Sequence, residues 1–242
     1  MNLQEGKENI EKGGSEMKNN NEKVEVVFIM DRSGSMGGLE ADTIGGFNSM
    51  LAKQKEESDN IIWSTVLFDH ISEVVHDRVP VEKVRELDSD TYYVRGSTAL
   101  LDAVGGAIHH IGNVHKYARE EDRPSKTLFV ITTDGMENSS RQYSYDKVKK
   151  MIEKQKEKYH WEFIFLGANI DAVGVADRFG VDRQHAVRYE CDSAGTALNF
   201  QVMNKMVSCA RGAKSAKAMN EAFCSEEMLD EVREDYKMRH KQ

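Results

Sequence analysis

The chain has little with which to staple a fold, cross a membrane or grip nucleic acid. Its 242 residues include three cysteines, Cys191, Cys209 and Cys224, widely spaced and odd in number. That excludes a full disulfide framework and gives no paired-cysteine zinc knuckle, so all three read as free thiols. No apolar run approaches the roughly 20 residues that span a bilayer. Residues 1–22 lack the apolar stretch of a secretory signal, so a cytoplasmic location without membrane attachment is expected. Basic charge is not in excess: 33 Lys+Arg stand against 41 Asp+Glu, a formal net charge of -8. Non-specific binding to nucleic acid is therefore not expected.

What remains is the composition of a soluble globular chain, 39% apolar and 31% charged, long enough for one sizeable core. Residues 1–22 are rich in Glu, Lys, Asn and Gly and nearly devoid of apolar side chains. Burial there cannot offset ordering entropy, and a disordered polar tail is expected. From Val24 the pattern changes. Short β-rich runs at 24–30, 61–68, 126–133, 161–166 and 185–189 read as strands, the first nearly continuous in apolar character as expected of a central strand covered on both faces. Between them, apolar residues at helical spacing predict helices over 44–55, 100–111, 145–152, 170–179 and 194–210. Ile61–Phe68 and Ile71–Val75 are separated only by Asp69-His70, which suits an antiparallel hairpin at a sheet edge. Gly45-Gly46 inside the first helix implies close packing there. From Arg211 charge density rises, and Ser225–Arg239 reads as an amphipathic helix presenting Met228, Val232 and Tyr236, expected to dock on its own sheet. The expected organisation is a tail at 1–22, an α/β core at 23–210 and a charged helical extension at 211–242.

Three loops of this core carry hard oxygen donors. Asp31-Arg32-Ser33-Gly34-Ser35 follows the first strand, Gly96-Ser97-Thr98 enters the second helix, and Asp134-Gly135 follows the fourth strand run. Right-handed βαβ crossovers put all parallel-strand C-termini on one edge, where ligands bind in doubly wound sheets. An Asp and two serines in a turn are, alone, most often a cap or turn. With Thr98 and Asp134 at matching loop ends, the set becomes a candidate site for a small hard cation.

These segments resemble the von Willebrand factor A (vWA) family over residues 23–210. The resemblance rests on Val-Phe-Ile-Met-Asp-Arg-Ser-Gly-Ser-Met, Gly-Ser-Thr-Ala-Leu-Leu-Asp-Ala-Val and Val-Ile-Thr-Thr-Asp-Gly, in that order. It implies a Rossmann-like, doubly wound, mostly parallel sheet with one antiparallel edge strand and helices on both faces. It also implies a complete metal-ion-dependent adhesion site (MIDAS) at Asp31, Ser33, Ser35, Thr98 and Asp134. In that site the hydroxyls touch Mg²⁺ or Mn²⁺ directly, one or both aspartates act through water, and a vacant vertex receives an Asp or Glu carboxylate from a protein partner. Simple bacterial cytosolic members suggest, by resemblance, a stress-resistance setting such as tellurite resistance, or an ATPase-associated complex.

Other candidates are weaker. Asp69, Asp102, Glu137 and Asn138 lie near the loops and read first as caps. His109-His110 sits on a helix already explained by its apolar face. A metal-dependent hydrolase or phosphoryl-transfer enzyme on the same fold is the alternative. However, Ser33 stands where a haloacid-dehalogenase-type phosphatase needs its second Asp, and neither G-x-x-x-x-G-K-[ST] nor G-x-S-x-G occurs. No catalytic residue is assigned.

Overall fold

All eight residues of strand β1 (Val24–Asp31) are buried, because helices cover both faces of the sheet to which it belongs. Val26, Phe28 and Met30 enter one core, and Val27 and Ile29 enter the other, as the period of two along a strand requires. The computed structural model describes residues 23–57, 60–224 and 227–241. The expected tail at 1–22 lies outside the described residues.

The other strands are β2 (Ile61–Phe68), β3 (Ser72–Pro80), β4 (Lys126–Thr133), β5 (Glu162–Ala168) and β6 (Ala186–Tyr189). Their order across the sheet is β3-β2-β1-β4-β5-β6. β2 and β4 both run parallel to β1, β5 and β6 continue the parallel series, and β3 pairs antiparallel with β2 as the edge strand. This is the doubly wound sheet with one antiparallel edge that the sequence predicts. Chain order departs from β1 to one side through β2 and β3, then returns to its other side through β4. The topological switch therefore lies between β1 and β4, where such sheets open a ligand crevice at the strand C-termini.

Helices α1 (Glu40–Glu57) and α5 (Ser193–Gly212) pack on one face through Phe47, Met50, Leu51, Val202 and Met206. Helices α2 (Leu100–Tyr117), α3 (Tyr145–Tyr159) and α4 (Ala172–Arg178) cover the other. A methyl group at Gly46 would come within 2.2 Å of the Phe200 ring, so Gly46 does permit the close approach of α1 to α5; Gly45 has nothing within 4 Å.

Several element ends differ from the sequence reading. α1 begins at Glu40, one turn before the apolar period starts, and β3 runs on to Pro80, whose missing N–H is tolerated at a sheet edge. Among the described residues that follow α5, two helices occur, α6 (Ala216–Phe223) and α7 (Asp230–Arg239). α6 buries only Met219 and Phe223, too few positions for its period to stand out. Leu229 and Val232 join the core of the α1/α5 face, so this terminal segment does dock on its own domain. Among the described residues no helix is long and apolar enough to cross a membrane.

Candidate metal centre at the sheet switch point

β1 and β4 are adjacent and in register, Met30 opposite Thr132. Asp31 ends the first strand, and Asp134 is the residue just past the end of the second. Both carboxylates thus reach the crevice at the switch point, and both are buried, 1% and 2% exposed. Asp31 accepts hydrogen bonds from the Ser33 amide at 2.7 Å and from Thr133 Oγ1 at 2.5 Å. Its backbone carbonyl takes the Tyr92 hydroxyl at 2.7 Å. Asp134 accepts from Ser35 Oγ at 2.5 Å, and Ser35 Oγ lies 3.1 Å from Ser33 Oγ.

Thr98 arrives from the loop before α2 and is 3% exposed. Its amide donates to Asn138 Oδ1 at 2.9 Å and its carbonyl accepts from the Asn138 amide at 3.0 Å, which ties it to the Asp134 loop. A methyl group built on Gly135 would lie 3.0 Å from Thr98 Oγ1, 3.2 Å from Ser35 Oγ and 3.9 Å from Ser33 Oγ. Three hydroxyls from two loops thus face one point, and glycine at 135 keeps it open. The structure brings all five sequence-predicted residues, Asp31, Ser33, Ser35, Thr98 and Asp134, to this crevice.

The electrostatics there are unbalanced. Burial pushes the Asp31 carboxyl up to about 6, against the hydrogen bonds from Thr133 and Ser33, and the Asp134 charge adds to the rise. Burial also raises Asp134, while Ser35 and Cys191 pull it back. Among the described residues neither carboxylate is ion-paired with a cationic side chain. Asp69, equally buried, shows the contrast: it holds Arg32 Nε at 3.0 Å and Arg95 Nε at 2.8 Å. Burial alone would raise its carboxyl, but Arg95, the Ile71 amide and Arg32 together hold it below the ordinary range.

A cation fits a buried pair of carboxylates whose partners are hydroxyl, amide and thiol donors without positive charge, since uncompensated buried charge is costly. The donors are all hard oxygens, which suits Mg²⁺ or Mn²⁺. Among the described residues no group of three or more His, Cys, Asp or Glu is placed to hold a metal, so such an ion would depend on the serine and threonine hydroxyls.

Of the flanking candidates, Glu137 accepts from the Leu101, Ser139 and Ser140 amides and Asp102 from three amides of 141–143. They and Asn138 are loop and helix caps, as their residue types suggest. Sequence reasoning missed Thr133, Tyr92 and Cys191, whose thiol donates to Asp134 Oδ2 at 3.6 Å. Thr133 stands in the Val-Ile-Thr-Thr-Asp-Gly segment beside Asp134 but carried no role there, whereas Tyr92 and Cys191 lie in no motif and only the fold brings them here. Burial lifts the Cys191 thiol to about 11, and the Asp134 charge adds to this.

A doubly wound sheet with an antiparallel edge and the D-x-S-x-S loop at its switch point defines the vWA fold. No family model matches the chain. No curated protein matches it by sequence. Solved structures do. The vWF domain of the type V pili tip protein Mfa5 from Porphyromonas gingivalis superposes with a TM-score of 0.55 at 11% identity, covering 77% of this chain and 95% of that one. Proximal thread matrix protein 1 of the mussel byssus, solved with a zinc-occupied MIDAS motif, gives 0.52 at 13% identity, covering 78% of this chain. The chain spans 46% of that protein's length. The PilB minor pilin from Streptococcus sanguinis gives 0.50 at 12% identity, covering 76% of this chain and 61% of that one. At these identities the likeness shows the fold.

Proposed function

We propose that the chain is a divalent-cation-dependent protein-binding module whose bound Mg²⁺ or Mn²⁺ receives an Asp or Glu carboxylate from a partner. One observation carries this reading. Two buried carboxylates, Asp31 and Asp134, flank a cradle of three hydroxyls and have no cationic partner among the described residues. A cation there supplies the missing charge. Because its contacts on the protein are largely neutral hydroxyls, it stays electrophilic toward an incoming carboxylate.

Binding is favoured over hydrolysis because each carboxylate is engaged by hydroxyl and amide or thiol donors. Among the described residues no histidine hydrogen-bonds to any of the five side chains. A bacterial, cytosolic stress-resistance or ATPase-associated complex is the setting the sequence resemblance implies. The test is affinity capture from the source cell with wild type and Asp31→Ala, each with Mg²⁺ or chelator. Partners retained only by wild type with metal are the expected result; the same partners in all four conditions would sink the proposal.

A further inference from the structure

At the edge of the sheet opposite the metal crevice, where β4 begins and just before β5, a cavity of about 530 Å³ opens between the C-terminal halves of α2 and α3. Lys116, Arg123, Lys154, His109 and His115 line it. Among the described residues no Asp or Glu does, although acids outnumber bases 41 to 33 along the chain. The acidic neighbours in sequence turn elsewhere: Asp122 pairs with Arg119 at 2.7 Å and Glu153 with Lys149 at 4.0 Å. Glu25 contacts His115, but it is buried and also holds Arg78 at 3.1 Å. Among the described residues Lys116, Arg123 and Lys154 have no carboxylate partner.

Helix ends explain part of this charge. Lys116 is in the last turn of α2, where the helix dipole favours a cation. Arg123 donates through Nε at 3.2 Å and Nη2 at 3.0 Å to the Ala118 carbonyl just past that helix. At the close of α3 the His160 and Trp161 amides cover the Lys156 and Gln155 carbonyls. Both helix ends thus have carbonyls covered, which weakens the repulsion their dipoles would exert on an anion. Capping does not account for Lys154. It stands more than a turn before the end of α3 and has no hydrogen bond or ion pair among the described residues. Arg123, anchored through Nε and Nη2, keeps Nη1 unused, a pre-placed donor of the kind that phosphate oxygens accept. Ile108, Met151, Trp161 and the exposed Tyr159 give the same cavity an apolar side, and its volume is that of a small-molecule site.

We propose that this cavity binds a small phosphate ester that carries a ring, a mononucleotide in size and chemistry. Its phosphates meet Lys116, Arg123 and Lys154, and its ring meets the apolar side at Tyr159. Two ammonium groups and a guanidinium match the charge of a nucleoside diphosphate, while an uncharged ligand would leave all three cations unanswered. The site does not depend on a cation at Asp31 and Asp134, because it is built at the other ends of the strands.

The experiment titrates ADP into the full chain in EDTA, so that no divalent cation can recruit the phosphates to the metal crevice. One saturable site is expected, at least about tenfold tighter for ADP than for inorganic pyrophosphate, with adenosine weaker than ADP. Lys154→Glu and Lys116→Glu should each weaken ADP at least about tenfold. Lys217→Glu makes the same charge change on α6, over the other face of the sheet, and should stay within about twofold. Circular dichroism establishes that the variants fold. No saturable ADP binding, pyrophosphate or adenosine binding as tightly as ADP, or unchanged affinity in Lys154→Glu would each overturn the inference. ADP binding with Mg²⁺ but not with EDTA would put the phosphates at the metal crevice and overturn it as well. None of these outcomes decides the metal-site reading, which Mg²⁺ titration without nucleotide tests separately.

Discussion

Asp31 and Arg32 are consecutive and both buried, yet their charges are met in opposite ways. The Arg32 guanidinium reaches Asp69 Oδ2 at 3.0 Å, Glu73 Oε2 at 2.6 Å and the Thr91 carbonyl at 3.3 Å. It thereby ties the D-x-S-x-S loop to the β2–β3 hairpin and to the loop before Thr98. Breaking a buried pair from one side leaves a stranded charge, so Arg32→Ala should cost about 3 kcal/mol. Arg95 still partners Asp69, which keeps the cost at the low end of that range. Urea unfolding of metal-free protein measures this, and a loss below about 1 kcal/mol would mean the pairing is ornamental. Asp31 has no such partner, and its carboxyl sits at about 6, above the ordinary 3.8. The sign follows from linkage. A raised carboxyl contributes stability to the metal-free fold that is complete below 3.8 and is lost as pH rises through about 6. A cation needs the charged form and so competes with the proton. Mg²⁺ should therefore bind about tenfold more weakly at pH 5 than at pH 7. Equal affinity at the two pH values, measured by calorimetry, would remove Asp31 from the binding step.

At the scale of elements, the α1–α5 contact is held close by one glycine. Gly46→Val would drive its side chain into the Phe200 ring, which already lies within 2.2 Å of where a single methyl group would sit, and should destabilise by about 1–3 kcal/mol. Gly45→Ala, with nothing within 4 Å, should be neutral or stabilise by about 0.5–1 kcal/mol through helix propensity. Thermal melts of the two variants side by side provide the check. This contact also shows what a sequence can carry. The pair Gly45-Gly46 signals close packing but does not say which member makes it, because that depends on how Phe200 approaches from α5. The same limit applies elsewhere. Buried strands such as Val24–Asp31 were legible because two covered faces demand an unbroken apolar run. α6 was not, since two inward residues in a charged segment define no period. Of the site, the five motif residues were legible from three loops with matching chemistry. Tyr92 and Cys191 were not, because hydrogen bonding across the crevice leaves no spacing in the chain, and Thr133, though next to Asp134, gave no sign that its hydroxyl turns to Asp31 rather than to its own loop.

For the molecule as a whole, the strand order does the assembling. β1 lies centrally, and the chain leaves it on one side and returns on the other, so Asp31 and Asp134 meet although 103 positions separate their numbers in the sequence. The fold thereby creates a buried negative site at one edge, suited to a divalent cation. Isothermal titration of Mg²⁺ and Mn²⁺ into the full chain at pH 7, beside Asp31→Ala, is the decisive measurement. One saturable site per chain is expected, absent from Asp31→Ala although the variant keeps its fold. No saturable binding to wild type, or the same isotherm from Asp31→Ala, would contradict it.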